Sequence, residues 1–299
     1  MLLSSTDFIG DVHGHLLRLR HTLHTLGYRE TADSWRHPDG RRAVFIGDLV
    51  DRGPQIRETV ELVRRMVLAG EAECLLGNHE FNLLAWFTPA IHRSGFVRPH
   101  NDKNLRQIKA TIKDYDGYHA LLRTHLEWFY SLPLFIDTPE FVAVHAAWHE
   151  ASARKLADLL PAQRLTQDVI QRYGTDDEVL CTAIDTLLKG PEVRLPGALQ
   201  LTDADGARRR DLRIAWWQDP VGTTWRQMAA KWPGQMPDKP FPKGLCRNWW
   251  GYPADAKPVF FGHYSMETSP RRISHNICCL DFSGDGGNRV WGVRGIEGE

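Results

Sequence analysis

No stretch of the 299-residue chain approaches the ~18 consecutive apolar residues that a membrane-crossing helix needs, so an integral helical membrane protein is excluded. There is no excess charge of either sign. Lys and Arg number 37, as do Asp and Glu, so no global field recruits nucleic acid or a membrane surface, and any anion site must be local. Cysteine is sparse: Cys74, Cys181, Cys246, Cys278 and Cys279 are odd in number, include one adjacent pair and show no C-x-x-C spacing. Neither a disulfide framework nor a thiolate zinc site is expected. The opening residues Met1–Asp7 have neither the basic region nor the apolar stretch of a secretory leader. Reduced thiols and a cytoplasmic location are therefore expected.

What is present reads as a globular α/β chain. Hydrophobic residues make up 42% and charged residues 25%, with 25 Gly and 17 Pro spread throughout, the composition of a folded soluble protein with a sizeable core. A single domain over residues 1–299 is expected. Short apolar runs that stop at a small or polar residue predict strands at Thr6–Ile9, Ala43–Ile46, Glu73–Leu76, Phe141–Val144, Pro258–Phe261 and Ile273–Leu280, the last followed by Arg289–Val293. Leu16, Leu19, Leu23 and Leu26 recur at helical spacing before Gly27, and Ile56, Val60, Val63 and Val67 do so between Pro54 and Gly70. The opening is thus βαβαβ, which implies a largely parallel sheet with helices packed on it.

Residues 91–190 read as mostly helical and are expected to form a cap-like insertion. Residues 216–257 hold Trp216, Trp217, Trp225, Trp232, Trp249 and Trp250 among several prolines, and read as a long ordered loop. The segment Cys279–Trp291 looks like two strands around the glycine turn Gly284–Gly287.

Chemistry-bearing residues sit where the strands stop. Ile9 leads into Gly10-Asp11-Val12-His13-Gly14, Ile46 into Gly47-Asp48-Leu49-Val50-Asp51-Arg52-Gly53, and Leu76 into Gly77-Asn78-His79-Glu80. His145 and His263 follow two further apolar runs, with His149 in reserve. Open α/β sheets bind ligands beyond the carboxyl ends of their strands, so these side chains should converge. Carboxylate, amide oxygen and imidazole without thiolate suit manganese, iron or zinc. Asp11, His13, Asp48, Asn78, His145 and His263 exceed the set that one catalytic ion uses. Two ions ~3.5–4 Å apart, bridged by Asp48 and by a hydroxide that attacks the substrate, would account for them, and the reaction would be hydrolysis.

In this order and spacing, Asp11–Gly14, Gly47–Gly53, Gly77–Glu80, His145 and His263 resemble the calcineurin-like metallophosphoesterases, in particular the bacterial branch of the PPP-type phosphatases. The resemblance implies a sandwich of two mixed β-sheets flanked by helices. It implies Asp11, His13 and Asp48 on one metal ion and Asp48, Asn78, His145 and His263 on the other, with Mn²⁺ the first choice and Fe or Zn the alternatives. His79 would be the general acid, Asp51 would orient it, and Arg52 would hold the phosphoryl oxygens. PPP enzymes carry a second phosphate-clamping arginine, for which Arg226 and Arg247 are the candidates.

Eukaryotic members read L-R-G-N-H-E where this chain has Leu75-Leu76-Gly77-Asn78-His79-Glu80, and Gly262-His263-Tyr264-Ser265 lacks the second histidine of the nuclease branches. The expected activity is hydrolysis of a phosphate monoester or anhydride in a small molecule, nucleotide or phosphoprotein. The general chemistry is that of bacterial serine/threonine phosphatases; the alternatives are a symmetrical dinucleoside tetraphosphate hydrolase and a non-catalytic phosphate-binding scaffold. The basic stretch from His92 to Lys113 and the tryptophans admit two readings each: anion steering or a solvated face for the first, base stacking or loop packing for the second.

Overall fold

The computed structural model describes residues 1–175, 177–196, 201–202, 208–230, 238–246, 251–266, 272–282 and 290–295. Strands β1 (Thr6–Ile9), β2 (Arg42–Phe45) and β3 (Ala72–Cys74) lie parallel, with Phe8 opposite Val44 and Val44 opposite Glu73. Their crossovers are α1 (Leu16–Thr25) and α2 (Ile56–Leu68), which bury Leu16, Leu19 and Leu23 and Ile56, Val60 and Val63 of the expected stripes, while Val67 is half-buried. Both helices are followed within two residues by a glycine at positive φ, Gly27 at 96° and Gly70 at 75°, a conformation that is sterically easy only without a Cβ.

Helix α3 (Asn78–Phe87) starts where β3 exits, followed by α4 (Asp102–Asp114) and α5 (His119–Tyr130). The chain then forms the antiparallel pair β4 (Phe135–Asp137) and β5 (Val142–Val144) before α6 (Glu150–Leu159), α7 (Gln167–Tyr173) and α8 (Glu178–Lys189). A small pair, β6 (Glu192–Arg194) and β7 (Asp211–Arg213), and the short α9 (Trp225–Met228) enclose a satellite core of Val193, Leu195, Leu212, Ile214, Trp225, Met228 and Phe241. Strands β8 (Val259–Phe261), β9 (Arg272–Ser274), β10 (Ile277–Cys279) and β11 (Gly292–Arg294) complete the sheets.

The first sheet runs β11-β1-β2-β3 and the second β9-β10-β8-β5-β4, both of mixed direction. Because side chains alternate along a strand, Phe8, Val44, Phe141, Ala143 and Phe260 meet between the sheets, while Ile9, Ala43 and Phe45 face the helices. Phe8 stacks on Phe260 at 3.7 Å between centroids and meets the edge of Phe141 at 5.0 Å. Fully burying one such aromatic side chain contributes ~1.5–3 kcal/mol, so this layer sets the distance between the sheets.

Three expectations change in detail. Ile273–Leu280 is not one strand: the chain reverses at His275-Asn276 into the β9–β10 pair, and the Asn276 side chain pins the turn by donating to the carbonyls of Pro253 and Ala256 at 2.8 and 2.9 Å. Strands β10 and β11 do not pair with each other; β11 crosses to the first sheet and runs antiparallel to β1, whose other edge would otherwise be open. Gly284–Gly287 lie outside the described residues. Finally, the 91–190 stretch is interrupted by β4 and β5, and β5 is an inner strand of the second sheet.

In 216–257, Trp216 and Trp217 pack against Phe261 at 5.1 and 5.3 Å between centroids, and Trp225 fills the satellite core. For these three, loop packing is what the structure shows; Trp232, Trp249 and Trp250 lie outside the described residues. None of the five cysteines is bridged. Among the described residues no helix is long and apolar enough to cross a membrane.

Candidate metal centre

Five strand exits point at one spot. Asp11 and His13 follow β1, Asp48 follows β2, Asn78 and His79 open α3 after β3, His145 follows β5 and His263 follows β8; six of these seven are buried and His263 is half-buried. The exits are sharp. Of eight described non-glycine residues at positive φ, six lie here: His13, Asp48, Asp51, Arg52, His263 and Ser265. Each such residue costs roughly 1–2 kcal/mol, and strain of this kind concentrates at functional sites. Space is equally tight, since a Cβ on Gly77 would sit 2.3 Å from the Asp48 amide nitrogen, and one on Gly262 would sit 2.2 Å from Asp11 Oδ1.

Glu80 is what holds the Asp48 loop. Its buried carboxylate accepts the amide N–H groups of Asp48 (2.9 Å), Leu49 (2.8 Å), Val50 (3.1 Å) and Gly77 (3.0 Å). Asp281 acts likewise behind His263, accepting the Ser265 N–H at 2.7 Å through its side chain and the Met266 N–H at 2.9 Å through its carbonyl. In the sequence Glu80 is simply the last residue of the Gly77–Glu80 motif, and no pattern marks Asp281.

The side chains form two overlapping groups able to hold a cation, His13–Asp48–His79 and Asp48–His145–His263, with Asp48 common to both. His13 Nε2 lies 3.9 Å from Asp11 Oδ2 and 3.6 Å from Asp48 Oδ2, and His145 Nε2 lies 3.4 Å from Asp48 Oδ1 and 2.9 Å from Asn78 Oδ1. The ring nitrogens on the far side settle the tautomers. His13 Nδ1 donates to the Val50 carbonyl at 2.9 Å and His145 Nδ1 to the Ile46 carbonyl at 2.8 Å, so each neutral ring presents a bare Nε2 to the cluster.

At His145 this sets a nitrogen lone pair against two oxygen acceptors. The Nε2 atoms of His13 and His263 are buried and have no hydrogen-bond partner. Such an arrangement is costly by itself and fits divalent cations.

The electrostatics agree. Burial first, then neighbouring carboxylates, pushes Asp11 and Asp48 far above the usual carboxylate range. Burial also drives His13 and His263 down and lowers His145 to about 4. Neutral imidazoles and crowded carboxylates are the forms a cation stabilises.

Burial drives His79 down as well, and it differs from the other cluster histidines in its partner: Nδ1 meets a carboxylate, Asp51 Oδ2, at 2.6 Å, and Nε2 lies 3.8 Å from Asp48 Oδ2. Asp51 is buried, and burial pushes it up to about 7 while Thr111, Arg52 and Arg98 oppose that rise. Thr111 of α4 is a partner that no sequence signal revealed: its hydroxyl donates to Asp51 Oδ1 and accepts the Asp51 N–H at 3.0 Å. Arg52 is exposed, and its charge acts on Asp11, Asp48, His13 and His79.

Of the remaining sequence candidates, Arg226 and His149 do not join the cluster. Arg226 is exposed on α9 beside the satellite core, and Arg247 lies outside the described residues. His149 leads into α6 and bonds Ser152 at 2.8 Å. Two other arginines reach the site electrostatically: Arg98 beside Asp51 and His79, and Arg213 beside His145 and His263.

Known proteins are similar to this chain in sequence. The chain is 47% identical over 146 residues to the asymmetrical bis(5'-nucleosyl)-tetraphosphatase PrpE of Halalkalibacterium halodurans, a match covering 48% of this chain and 57% of that protein. It is 42% identical over 147 residues to the protein of the same name from a Geobacillus species, covering 47% and 56%. The chain thus spans about half the length of these curated relatives. A solved cold-active protein-tyrosine phosphatase of a psychrophilic Shewanella is similar at 16% identity and a TM-score of 0.47, over 97% of this chain and 75% of that one. The sequence family described as calcineurin-like phosphoesterase matches residues 5–264. That span takes in all five strand exits, and the chain belongs to the calcineurin-like phosphoesterase family.

Proposed function

We propose that the protein is a two-metal phosphohydrolase acting on a dinucleoside polyphosphate, which it cleaves into unequal halves. The observation that carries the reading is the set of bare imidazole nitrogens around Asp48: Nε2 of His13, His145 and His263, two of them buried without a partner. In this reading Asp11, His13 and Asp48 hold one cation and Asp48, Asn78, His145 and His263 the other, with Mn²⁺ preferred over Fe or Zn. When bound, the ions supply Lewis-acid polarisation of a phosphoryl oxygen and a water of lowered pKa.

The chain's own residues do the rest. His79 is the proton donor to the leaving group: burial drives its imidazole down, and the Asp51 carboxylate 2.6 Å from Nδ1 is the group placed to stabilise an imidazolium, as a carbonyl would not. Arg52, exposed at the rim, offers planar paired donors to the phosphoryl oxygens as charge builds on them. Arg226 and Arg247 have no support as the second clamp beyond their sequence position.

The names of the two relatives move the substrate choice from symmetrical to asymmetrical cleavage. Product analysis tests it. Manganese-loaded protein given diadenosine tetraphosphate is expected to release ATP and AMP, and ADP as sole product would restore the symmetrical alternative. Absence of turnover on that substrate, on phosphopeptides and on p-nitrophenyl phosphate with Mn²⁺, Fe²⁺ or Zn²⁺ would leave only the non-catalytic scaffold.

A further inference from the structure

The basic stretch between His92 and Lys113 contains a residue with a more specific task than drawing in anions. Arg98 is half-buried in the loop that leads from α3 to α4, and its backbone N–H is tied to the Ala85 carbonyl at 3.0 Å. Its side chain forks. Nη1 donates to Asn82 Oδ1 on α3 at 2.6 Å, and Nη2 donates to Gln107 Oε1 on α4.

These two acceptors are significant for what lies one turn away from each. Asn82 is three residues beyond His79 on α3, and Gln107 is four residues before Thr111 on α4, spacings that share a helix face. The rungs Asn82–Arg98–Gln107 and His79–Asp51–Thr111 therefore cross-link the same two helices side by side.

We propose that Arg98 is a positioning residue for the proton donor: by bridging Asn82 and Gln107 it fixes α3 against α4, so that His79, Asp51 and Thr111 stay in line. The planar guanidinium suits this because one side chain reaches two acceptors in fixed directions, which a lysine ammonium does not do. With both terminal nitrogens engaged, Arg98 is placed to brace the site rather than to bind a phosphate. Its positive charge beside Asp51 also favours the carboxylate form that His79 needs as a partner.

The inference rests on the reading of His79 as the acid, and a leaving-group series separates the two. The manganese-loaded enzyme is assayed on aryl phosphates from p-nitrophenyl to phenyl, because a poor leaving group needs the proton and a good one does not. His79→Asn is expected to steepen the dependence of kcat on leaving-group pKa. Arg98→Met is expected to steepen it in the same direction by a smaller amount, with kcat on phenyl phosphate down ~10–100-fold, p-nitrophenyl phosphate little changed and KM constant. Should Arg98→Met fold poorly, Gln107→Ala, at a half-exposed position, removes one end of the bridge and should tilt the series likewise.

A uniform loss across the series, or a rise in KM, in variants that fold would overturn the positioning role. A flat series for His79→Asn would remove the acid assignment itself, and this role with it.

Discussion

Replacing Glu80 by glutamine tests whether the metal-centre loops are held by one buried carboxylate. Oε1 accepts from Leu49 and Val50 and Oε2 from Asp48 and Gly77. The amide keeps one oxygen, so two of the four N–H groups lose their acceptor and face an NH₂ donor in a site without exposure. An orphaned buried donor costs about 1–3 kcal/mol, so two give roughly 2–6 kcal/mol. Against this stands the relief of Asp48, which Glu80 pushes up in pKa by like-charge repulsion, so the lower half of that range is expected. Domains are stable by ~5–15 kcal/mol in total, so the variant should fold yet unfold at a clearly lower urea midpoint. The measurement is urea denaturation in EDTA, which keeps metal binding out of the comparison. A variant within ~0.5 kcal/mol of the parent, the spread of neutral surface changes, would refute the assigned role.

Other outcomes follow from the same geometry. Asp48→Asn should abolish activity and lower the metal content found by elemental analysis, because Asp48 is common to both cation groups. His79→Asn should retain metal while kcat on a poor leaving group falls ~10²–10⁴-fold, the usual share of a general acid. Phe8→Ala should cost ~3–5 kcal/mol by thermal or urea unfolding, since it empties the layer between the sheets. In metal-free protein, Asp51 binds its proton more tightly folded, at about 7, than unfolded. Its contribution to stability is full below an ordinary carboxyl pKa of ~3.9 and is lost as pH rises through about 7, so Asp51→Asn should flatten Tm between pH 5 and 8.

The strand exits were legible in the sequence for a physical reason. A strand covered on both faces reads as a short apolar run, and the first polar residue after it marks the sheet edge, as with Ile46 before Gly47-Asp48 and Val144 before His145. The braces behind the ligands left no such mark. Thr111, Gln107 and Asn82 are ordinary residues of helices, and their tasks exist only once α3 and α4 lie side by side. Arg213 carries no mark in the sequence because it sits on a three-residue strand ahead of the tryptophan pair, and Arg226 is exposed on the short helix α9. The fate of the last strand was equally hidden: an apolar run shows that it pairs, and the edge left open by β1 decides with what.

Shape and field at this centre come from the same groups. A strand that simply ran on would turn successive side chains to alternate sides, so bringing Asp48 and His263 back over the sheet edges requires a backbone reversal immediately after β2 and β8. Those reversals are the positive-φ residues, and each would relax if the loop behind it were free. Glu80 and Asp281 prevent that by accepting the loop N–H groups, yet they are also buried anions close to the ligands, and their charge is among the causes that raise Asp48 and Asp11. A neutral acceptor would have served the loops without raising those carboxylates. Negative carboxylates in that place make the cluster unfavourable for its own charges and correspondingly favourable for cations, so the residues that hold the loops in shape also strengthen the site's preference for positive charge.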